Sequence, residues 1–487
     1  MENILYYGDN LKIMRESIED ESVDLVYLDP PFNSQADYNV IFRDELGEAP
    51  PAQKKAFTDF WHWPEAVDEY EDLLEGGPER IRRLISGFYE IIGPNPIMAY
   101  LVKMTARLIE IHRVIKRTGS LYLHCDPSAS HYLKIILDVI YDKKNFRREI
   151  IWRIGWVSGF KTKTANWIRN HDTILYYVKS GGFTFNKQYF PHRADYKRRG
   201  QVDATAKTPG IPIEDVWNIS KEERLNSIQI MSFSKEKLGY ATQKPVALLE
   251  RIIKSSSNEG DIIFDPFCGC GTTIEAAEKL NRKWIGIDIT YHAVNLITKR
   301  LNDAFGDYCE YRIIGIPEDY PSARALADQN KYEFQWWALD LIGARPAGGV
   351  EEKKKGADLG IDGVYPFIDD EDRKSKIAIV SVKGGRTGPK DVRDLLGTVE
   401  REKAAMGVLI TLNPPTKRMI VEAAAAGSYQ SYVFNKKYPK IQILNIKDYF
   451  EKKESVQLPL HTGRSIAFKK AQKVVKEGED NQNNLQI

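Results

Sequence analysis

Residues 24–39 read DLVYLDPPFNSQADYN, and the start of this stretch decides the fold. Leu25 to Leu28 form an apolar run without polar alternation, the pattern of a strand covered on both faces. The run ends on Asp29, Pro30, Pro31 and Phe32. A simple turn is served by glycine or asparagine. Here a carboxylate and two residues without a backbone N–H donor stand beside an aromatic ring. Such a strand end offers hydrogen-bond acceptors and a flat surface for stacking, and both suit a ligand better than a bare turn.

Strands and helices alternate around this stretch. Residues 3–7 and 23–28 read as strands, and "PIMAYLVKMTARLIEIHRVIKR" (96–117) carries apolar residues at helical spacing. "SLYLHCD" is a buried strand and "HYLKIILDVIY" a helix. From "QKPVALLERIIKSSS" the same rhythm resumes through "DIIFDPF", "TTIEAAEKL" and "KWIGIDI". This alternation predicts an α/β domain with a doubly wound, mainly parallel sheet over residues 1–315. Residues 150–240 break the pattern. They are rich in Trp, Tyr, Lys and Arg and read as an inserted segment. Residues 316–327 read as a linker, 328–450 as a smaller α/β domain, and 451–487 as a polar, disordered tail.

The chain has 487 residues, which suits two or three domains of ~100–200 residues each. Its net charge is only +2, so any nucleic-acid surface must come from local clusters. Four cysteines exclude a disulfide scaffold, and Cys268 and Cys270 have no nearby Cys or His pair to complete a zinc site. No signal peptide and no membrane span are expected, which points to a cytoplasmic protein.

"IIFDPFCGCGTTIEAA" joins a strand to a helix through Gly269 and Gly271, with Thr272 or Thr273 expected to cap the helix. Glycines let a ligand approach the backbone, and a helix N-terminus favours polar groups. Asp288 ends the next strand, where an acid can hold two ribose hydroxyls. Taken alone, the loop is equally a tight packing turn, and it lacks the third glycine of the dinucleotide fingerprint. A dinucleotide-dependent oxidoreductase would in addition leave the DPPF stretch without a purpose.

The pairing of DPPF with the later glycine loop resembles the amino-group DNA methyltransferases that use S-adenosylmethionine, in their β-class motif order. "YYGDN", "SVDLVYLDPPFN", "RVIKRTGSLYLHCD", "NFRREIIW", "NHDTILYYVK" and "YATQKPVALLERII" each look like that family's blocks, over roughly residues 1–305. The resemblance implies a Rossmann-like domain and methyl transfer to a flipped-out base in double-stranded DNA. Asp29, Pro30, Pro31 and Phe32 would then be catalytic. Asp9, Lys244, Pro245, Asp265, Phe267, Gly269, Gly271, Thr272 and Asp288 would line the cofactor site. An initial Asp in the DPPF block implies adenine N6 as the target, with cytosine N4 as the alternative; an RNA substrate would call for the same chemistry. Target recognition would fall in the irregular segment, with Arg153, Lys161, Lys163, Arg193, Lys197, Arg198 and Arg199 as phosphate contacts. A solvated basic face is the plain alternative for each. His124 and Asp126 look like a hydrolytic pair, yet their strand context favours a structural role.

The C-terminal part resembles the Mrr-like branch of the restriction endonucleases. The residues concerned are Glu333 in "YEFQWWALDLIGA", Asp362 in "GADLGIDGVYPF" and Lys383 in "KIAIVSVKGG". Such nucleases use carboxylates to hold a divalent metal and a lysine to activate water. Asp362 would be the Mg²⁺ ligand, helped by Glu333. Ser381, however, stands where Glu or Gln is expected, so a domain that binds DNA without cutting it is the favoured expectation. A chain carrying both activities would fit a restriction–modification or epigenetic setting, acting with a second copy or with a restriction-system partner protein.

Overall fold

The computed structural model describes residues 2–31, 62–153, 165–191, 210–217, 243–347, 361–369, 375–432 and 435–459. Strands β1 (Asn3–Tyr7), β2 (Val23–Leu28), β3 (Ile115–Cys125), β4 (Phe146–Arg153), β5 (His171–Val178), β8 (Val216–Trp217), β9 (Ile262–Asp265), β10 (Lys283–Asp288) and β11 (Tyr311–Ile314) form one nine-stranded sheet. Its order is β11-β1-β10-β9-β2-β3-β5-β4-β8. The six strands from β11 to β3 are parallel, and β5 then reverses direction against both β3 and β4. Strands β6 (Tyr189–Pro191) and β7 (Gly210–Pro212) make a separate small ribbon.

The side chains of β2 show why the sheet is covered twice. Leu25 and Tyr27 enter a core shared with helices Val246–Ser256, Thr272–Lys279 and Tyr291–Phe305. Val26 and Leu28 enter the opposite core, against Met14 and helices Pro96–Val114 and Pro127–Tyr141. This two-residue alternation with both faces apolar is the doubly wound arrangement. Val23 lies with Val26 because a register shift between Val23 and Leu25 moves it across. Helix Pro96–Val114 starts where Asn95 accepts from Met98 N–H and Pro96 takes a position that has no intrahelical donor to lose. It ends at Val114, three residues before the expected Arg117, because Ile115 already pairs with Val23.

A second sheet, β12 (Arg345–Pro346), β13 (Gly363–Ile368), β14 (Ser375–Lys383), β15 (Met406–Thr411) and β18 (Ile441–Asn445), has the order β12-β13-β14-β15-β18. Strands β16 (Ser428–Gln430) and β17 (Lys437–Pro439) pair beside it. Ile379 and Leu409 face helices Pro389–Arg401 and Lys417–Ala425. Val380, Val408 and Ile410 face helix Lys331–Asp340 through Phe334 and Trp337.

Three expectations need correction. Strand β5, inside the segment read as an insertion, lies in the main sheet. Its residues His171–Val178 are nearly all buried and so show no alternation to read. Residues 316–327 are not a plain linker. Asp319 and Ser322 form a capping box for helix Tyr320–Gln329, whose Ala323 and Leu326 are buried. Residues 451–459, read as part of the tail, are fixed to the second sheet. Gln442 and Gln457 exchange two hydrogen bonds of 2.7 Å, and Tyr365 OH donates to the Pro459 carbonyl at 3.1 Å.

One buried ion pair ties the glycine loop to the helices beneath it. Arg300 pairs with Glu275 and donates through its guanidinium to the Cys270 carbonyl at 3.0 Å and the Thr272 hydroxyl at 3.1 Å. Arg300→Met leaves the Glu275 carboxylate buried without this partner, a loss of about 3–5 kcal/mol. The expected result is a clearly lower urea midpoint for the nine-stranded sheet. An unchanged midpoint would show that the pair adds nothing to the fold.

Candidate active site at the ends of the parallel strands

In an open α/β sheet a ligand crevice forms beyond the carboxyl ends of the strands. Here those ends carry Asp9 after β1, Asp288 on β10, Asp265 on β9 and Asp29 after β2. Strands β2 and β9 pair directly, with Val26 opposite Phe264, so the DPPF stretch and the glycine loop leave neighbouring strands at the same edge.

The glycine loop has a defined shape. Gly269 and Gly271 have φ of +48° and +76°, in the left-handed region. A Cβ on Gly271 would stand 2.7 Å from Ile297 Cγ1. Gly269 N–H donates to Asp288 Oδ2 at 2.9 Å, while Thr290 donates to Oδ1 through its N–H at 2.9 Å and its hydroxyl at 2.8 Å. Asp265 accepts from Phe267 N–H at 3.0 Å. Burial raises the Asp265 carboxyl to about 7 and that of Asp288 to about 6. The threonines do not cap the helix as expected: its N-cap is Gly271, and Thr272 is its first residue. Cys268 and Cys270 are buried, and burial pushes both thiols up.

Asp9 is already engaged. It caps helix Asn10–Ser17 by accepting from Lys12 N–H at 3.0 Å, and it pairs with the buried Arg107 at 3.1 Å. Arg107 also donates to Asn10, whose amide donates in turn to the Pro266 carbonyl at 2.8 Å. These links brace the glycine loop against β1.

Asp29 is half-buried, Pro30 buried and Pro31 exposed. Phe32 lies outside the described residues. Lys244 Nζ donates to Asp29 Oδ2 at 2.5 Å, and Pro245 caps helix Val246–Ser256 beside it. Asp29 Oδ1 stands 3.9 Å from His124 Nδ1 and accepts no hydrogen bond from the described residues.

Behind Asp29 lies a network that the sequence reading did not find. His124 is wholly buried, 2.9 Å from Tyr27 OH through Nδ1 and 3.1 Å from Asp172 Oδ2 through Nε2. Burial holds the Tyr27 phenol well above its ordinary range, so Tyr27 remains the donor to Nδ1. Burial raises Asp172 as well, but the His124 hydrogen bond and the neighbouring charges of Arg169 and Lys244 outweigh it and keep the carboxylate ionised. The Nε2–H therefore donates to Asp172. Arg169 continues the line to Asp172 and to Asp126, the N-cap of helix Pro127–Tyr141. The available signal was His124 in the otherwise apolar "LYLHC" and Asp172 in the polar start of "HDTILYYV".

The remaining candidates separate. Arg153 ends β4, opposite His171. Lys161, Lys163, Arg193, Lys197, Arg198 and Arg199 lie outside the described residues. In the second sheet, Asp362 Oδ2 accepts from Val382 N–H at 2.7 Å and Ser381 hydroxyl at 3.1 Å, and Lys383 closes β14. Glu333 does not join them. It is buried against the first sheet, accepting from Tyr291 N–H at 2.8 Å and Tyr7 OH at 3.4 Å. Among the described residues no group of three or more His, Cys, Asp or Glu could hold a metal ion. Asp362, with its serine and backbone donors, is a poor match for magnesium.

A family model described as DNA methylase matches residues 23–299. The chain belongs to this DNA methylase family. A second family model, NACHT-associated inactive Restriction Endonuclease 1, matches residues 344–449, so a separate restriction-endonuclease-like domain follows the Rossmann-like one. The type II methyltransferase M.BamHI of Bacillus amyloliquefaciens is 28% identical over 292 residues, covering 58% of this chain and 54% of its own length. DNA adenine methyltransferase YhdJ of Escherichia coli strain K12 is 28% identical over 311 residues, covering 62% and 83%. The crystal structure of an M1.HpyAVI–SAM complex is 16% identical with a TM-score of 0.33, covering 61% of this chain and 100% of that one. The chain spans 54%, 63% and 60% of three type II methyltransferases it matches. No helix among the described residues is long and apolar enough to cross a membrane.

Asp172→Asn should lower the thermal midpoint at pH 7, because the ionised Asp172 orients His124. A carboxylate held below its unfolded value of about 3.9 stabilises the fold above that pH and loses the effect as pH falls through its folded value. The gap between wild type and variant should therefore narrow below pH ~4. A gap independent of pH would mean that the carboxylate's charge is not what matters.

Proposed function

We propose that this chain is an S-adenosylmethionine-dependent DNA methyltransferase acting on adenine N6 at specific duplex sites, in a restriction–modification or epigenetic setting. The observation that carries the reading is Asp29. It stands at the end of β2 with one oxygen held by Lys244, beside a glycine loop and the Asp288 carboxylate on neighbouring strands. The initial Asp of DPPF and the likeness to an adenine-specific relative favour adenine over cytosine.

The residues present fit the cofactor. Gly269 and Gly271 leave the loop backbone approachable, and Asp288 keeps acceptor capacity for ribose hydroxyls. Ile289, 62% exposed, offers an apolar surface beside it for a flat base. When bound, S-adenosylmethionine supplies a methyl group already activated by its sulfonium. The chain supplies position and polarity.

An exocyclic amine is a weak nucleophile because its lone pair is delocalised into the ring. The target adenine leaves the duplex and enters the crevice. Asp29 Oδ1 and the Pro30 carbonyl accept the two amine hydrogens and draw the lone pair toward the methyl donor. Phe32 stacks on the base. Asp29 would be the acceptor for the one proton that the amine nitrogen gives up on being methylated. Lys244 fixes the Asp29 rotamer. Tyr27, His124 and Asp172 hold a rigid polar floor under it. Cytoplasmic placement and duplex DNA as partner belong to this reading, as do the basic residues 153–199 as phosphate contacts.

For the C-terminal domain we propose engagement of DNA without cleavage. Among the described residues Asp362 belongs to no group of three or more His, Cys, Asp or Glu that could hold a metal ion, and Ser381 donates to it. A nuclease of the expected type needs more carboxylate to hold its metal.

Asp29→Ala should abolish methyl transfer and leave cofactor affinity nearly unchanged. Tritiated-methyl incorporation into duplex DNA and calorimetric titration with S-adenosylmethionine check the two halves, and appreciable residual transfer would overturn the assigned role. Long-read mapping of modified bases in DNA from expressing cells should report N6-methyladenine at one recognition sequence; N4-methylcytosine would move the target. Unmethylated plasmid incubated with purified protein and magnesium or manganese should stay intact. Metal-dependent cutting that Lys383→Ala removes would overturn the non-cleaving assignment.

A further inference from the structure

Helix Lys331–Asp340 begins the C-terminal part of the chain and lies beyond the stretch that matches the DNA methylase family. Its Trp337 and Phe334 pack into the second sheet's core. Its two acids point elsewhere. Glu333 accepts from Tyr291 N–H at 2.8 Å and Tyr7 OH at 3.4 Å. Two turns later, Asp340 accepts from Tyr291 OH at 2.8 Å and Asn295 Nδ2 at 2.5 Å. One helix therefore holds the first turn of helix Tyr291–Phe305 at two points.

That first turn follows directly from Asp288. Thr290 both caps the helix and donates twice to Asp288 Oδ1. The next N–H, that of Tyr291, has no partner within its own helix, as at every helix start. Its acceptor is Glu333, 7% exposed. On the other flank, Tyr7 is the residue paired with Asp288 in the β1–β10 register, and its ring meets Tyr291 edge-on at 6.0 Å. Glu333 thus grips the strand end and the helix start on either side of Asp288.

We propose that Glu333 is a positioning residue of the cofactor pocket, so that S-adenosylmethionine binding and docking of the C-terminal domain are coupled. The proposal rests on the cofactor reading above. Its physical content is simple. A ligand that needs Asp288 and Thr290 in one conformation favours the state in which Glu333 is seated. By thermodynamic reciprocity, a seated Glu333 favours the ligand.

The test uses the full chain. Glu333→Ala should weaken S-adenosylmethionine binding about tenfold by calorimetry, the size expected from leaving the buried Tyr291 N–H without its acceptor. Glu333→Gln keeps an acceptor for Tyr291 N–H and should stay near wild type. Hydrogen exchange on the wild type, which needs no variant to fold, should show amides of residues 331–340 becoming more protected when S-adenosylmethionine is added. Asp288→Ala should abolish that change. Wild-type binding with no protection change in 331–340, or with Glu333→Ala binding as tightly as wild type, would overturn the coupling and leave the cofactor reading intact. A wild-type chain that binds no S-adenosylmethionine would overturn both.

Discussion

The parallel pairing of β2 with β9 is the constraint on which the site depends. These strands lie more than two hundred residues apart in the chain, yet Leu25 stands opposite Ile263 and Val26 opposite Phe264. A one-residue slip would send Leu25 and Tyr27 into the core that Val26 and Leu28 now fill. Two apolar cores therefore enforce the register. The register in turn sets Asp29 beside Asp265, and no local turn chemistry could do so alone.

The cost of this arrangement is electrostatic. Asp29, Asp265, Asp288 and Glu333 gather along one edge, and burial raises the last three to about 7, 6 and 7 respectively. Coulombic repulsion adds to burial: Asp29 and Asp288 act on Asp265, and Asp288 acts on Glu333. The chain offsets this with fixed donors. Backbone N–H groups of Phe267, Gly269, Thr290 and Tyr291 point at carboxylates, and Lys244 and Arg107 stand at the two ends. Such an edge is suited to a cationic ligand and poorly suited to a phosphate.

Much of this was legible in the sequence, and the failures have physical causes. Strands β1, β2, β3, β9 and β10 were readable because short apolar runs bounded by turns have few other uses. The glycine loop and Asp288 were readable because positive φ and a strand-end acid leave clear residue signatures. The His124–Asp172 pair was not. It depends on β3 and β5 lying antiparallel, and β5 hid within an irregular stretch as an apolar run without period. Glu333 was misplaced for a similar reason. Its position in the helix was right, but helix Lys331–Asp340 packs on both sheets, and nothing in a local pattern tells which face an acid at the first turn will meet. The cap on the helix after the glycine loop went to Gly271 because Thr272 is held by Arg300, a residue far away in the chain.

Helix Lys331–Asp340 also bears on whether the chain can be divided. Trp336 and Trp337 share one core with Tyr291, and Tyr7 and Ile316 pack against the same cluster. A fragment ending after β11 would open that seam to water, baring the aromatic edge of Tyr291 and stripping its N–H of an acceptor in the same stroke. The complementary fragment would carry Trp336 and two carboxylates stripped of the partners they meet across the seam. The boundary between the two family matches, at residues 299 and 344, is thus a boundary of resemblance and not a place where this molecule can be cut.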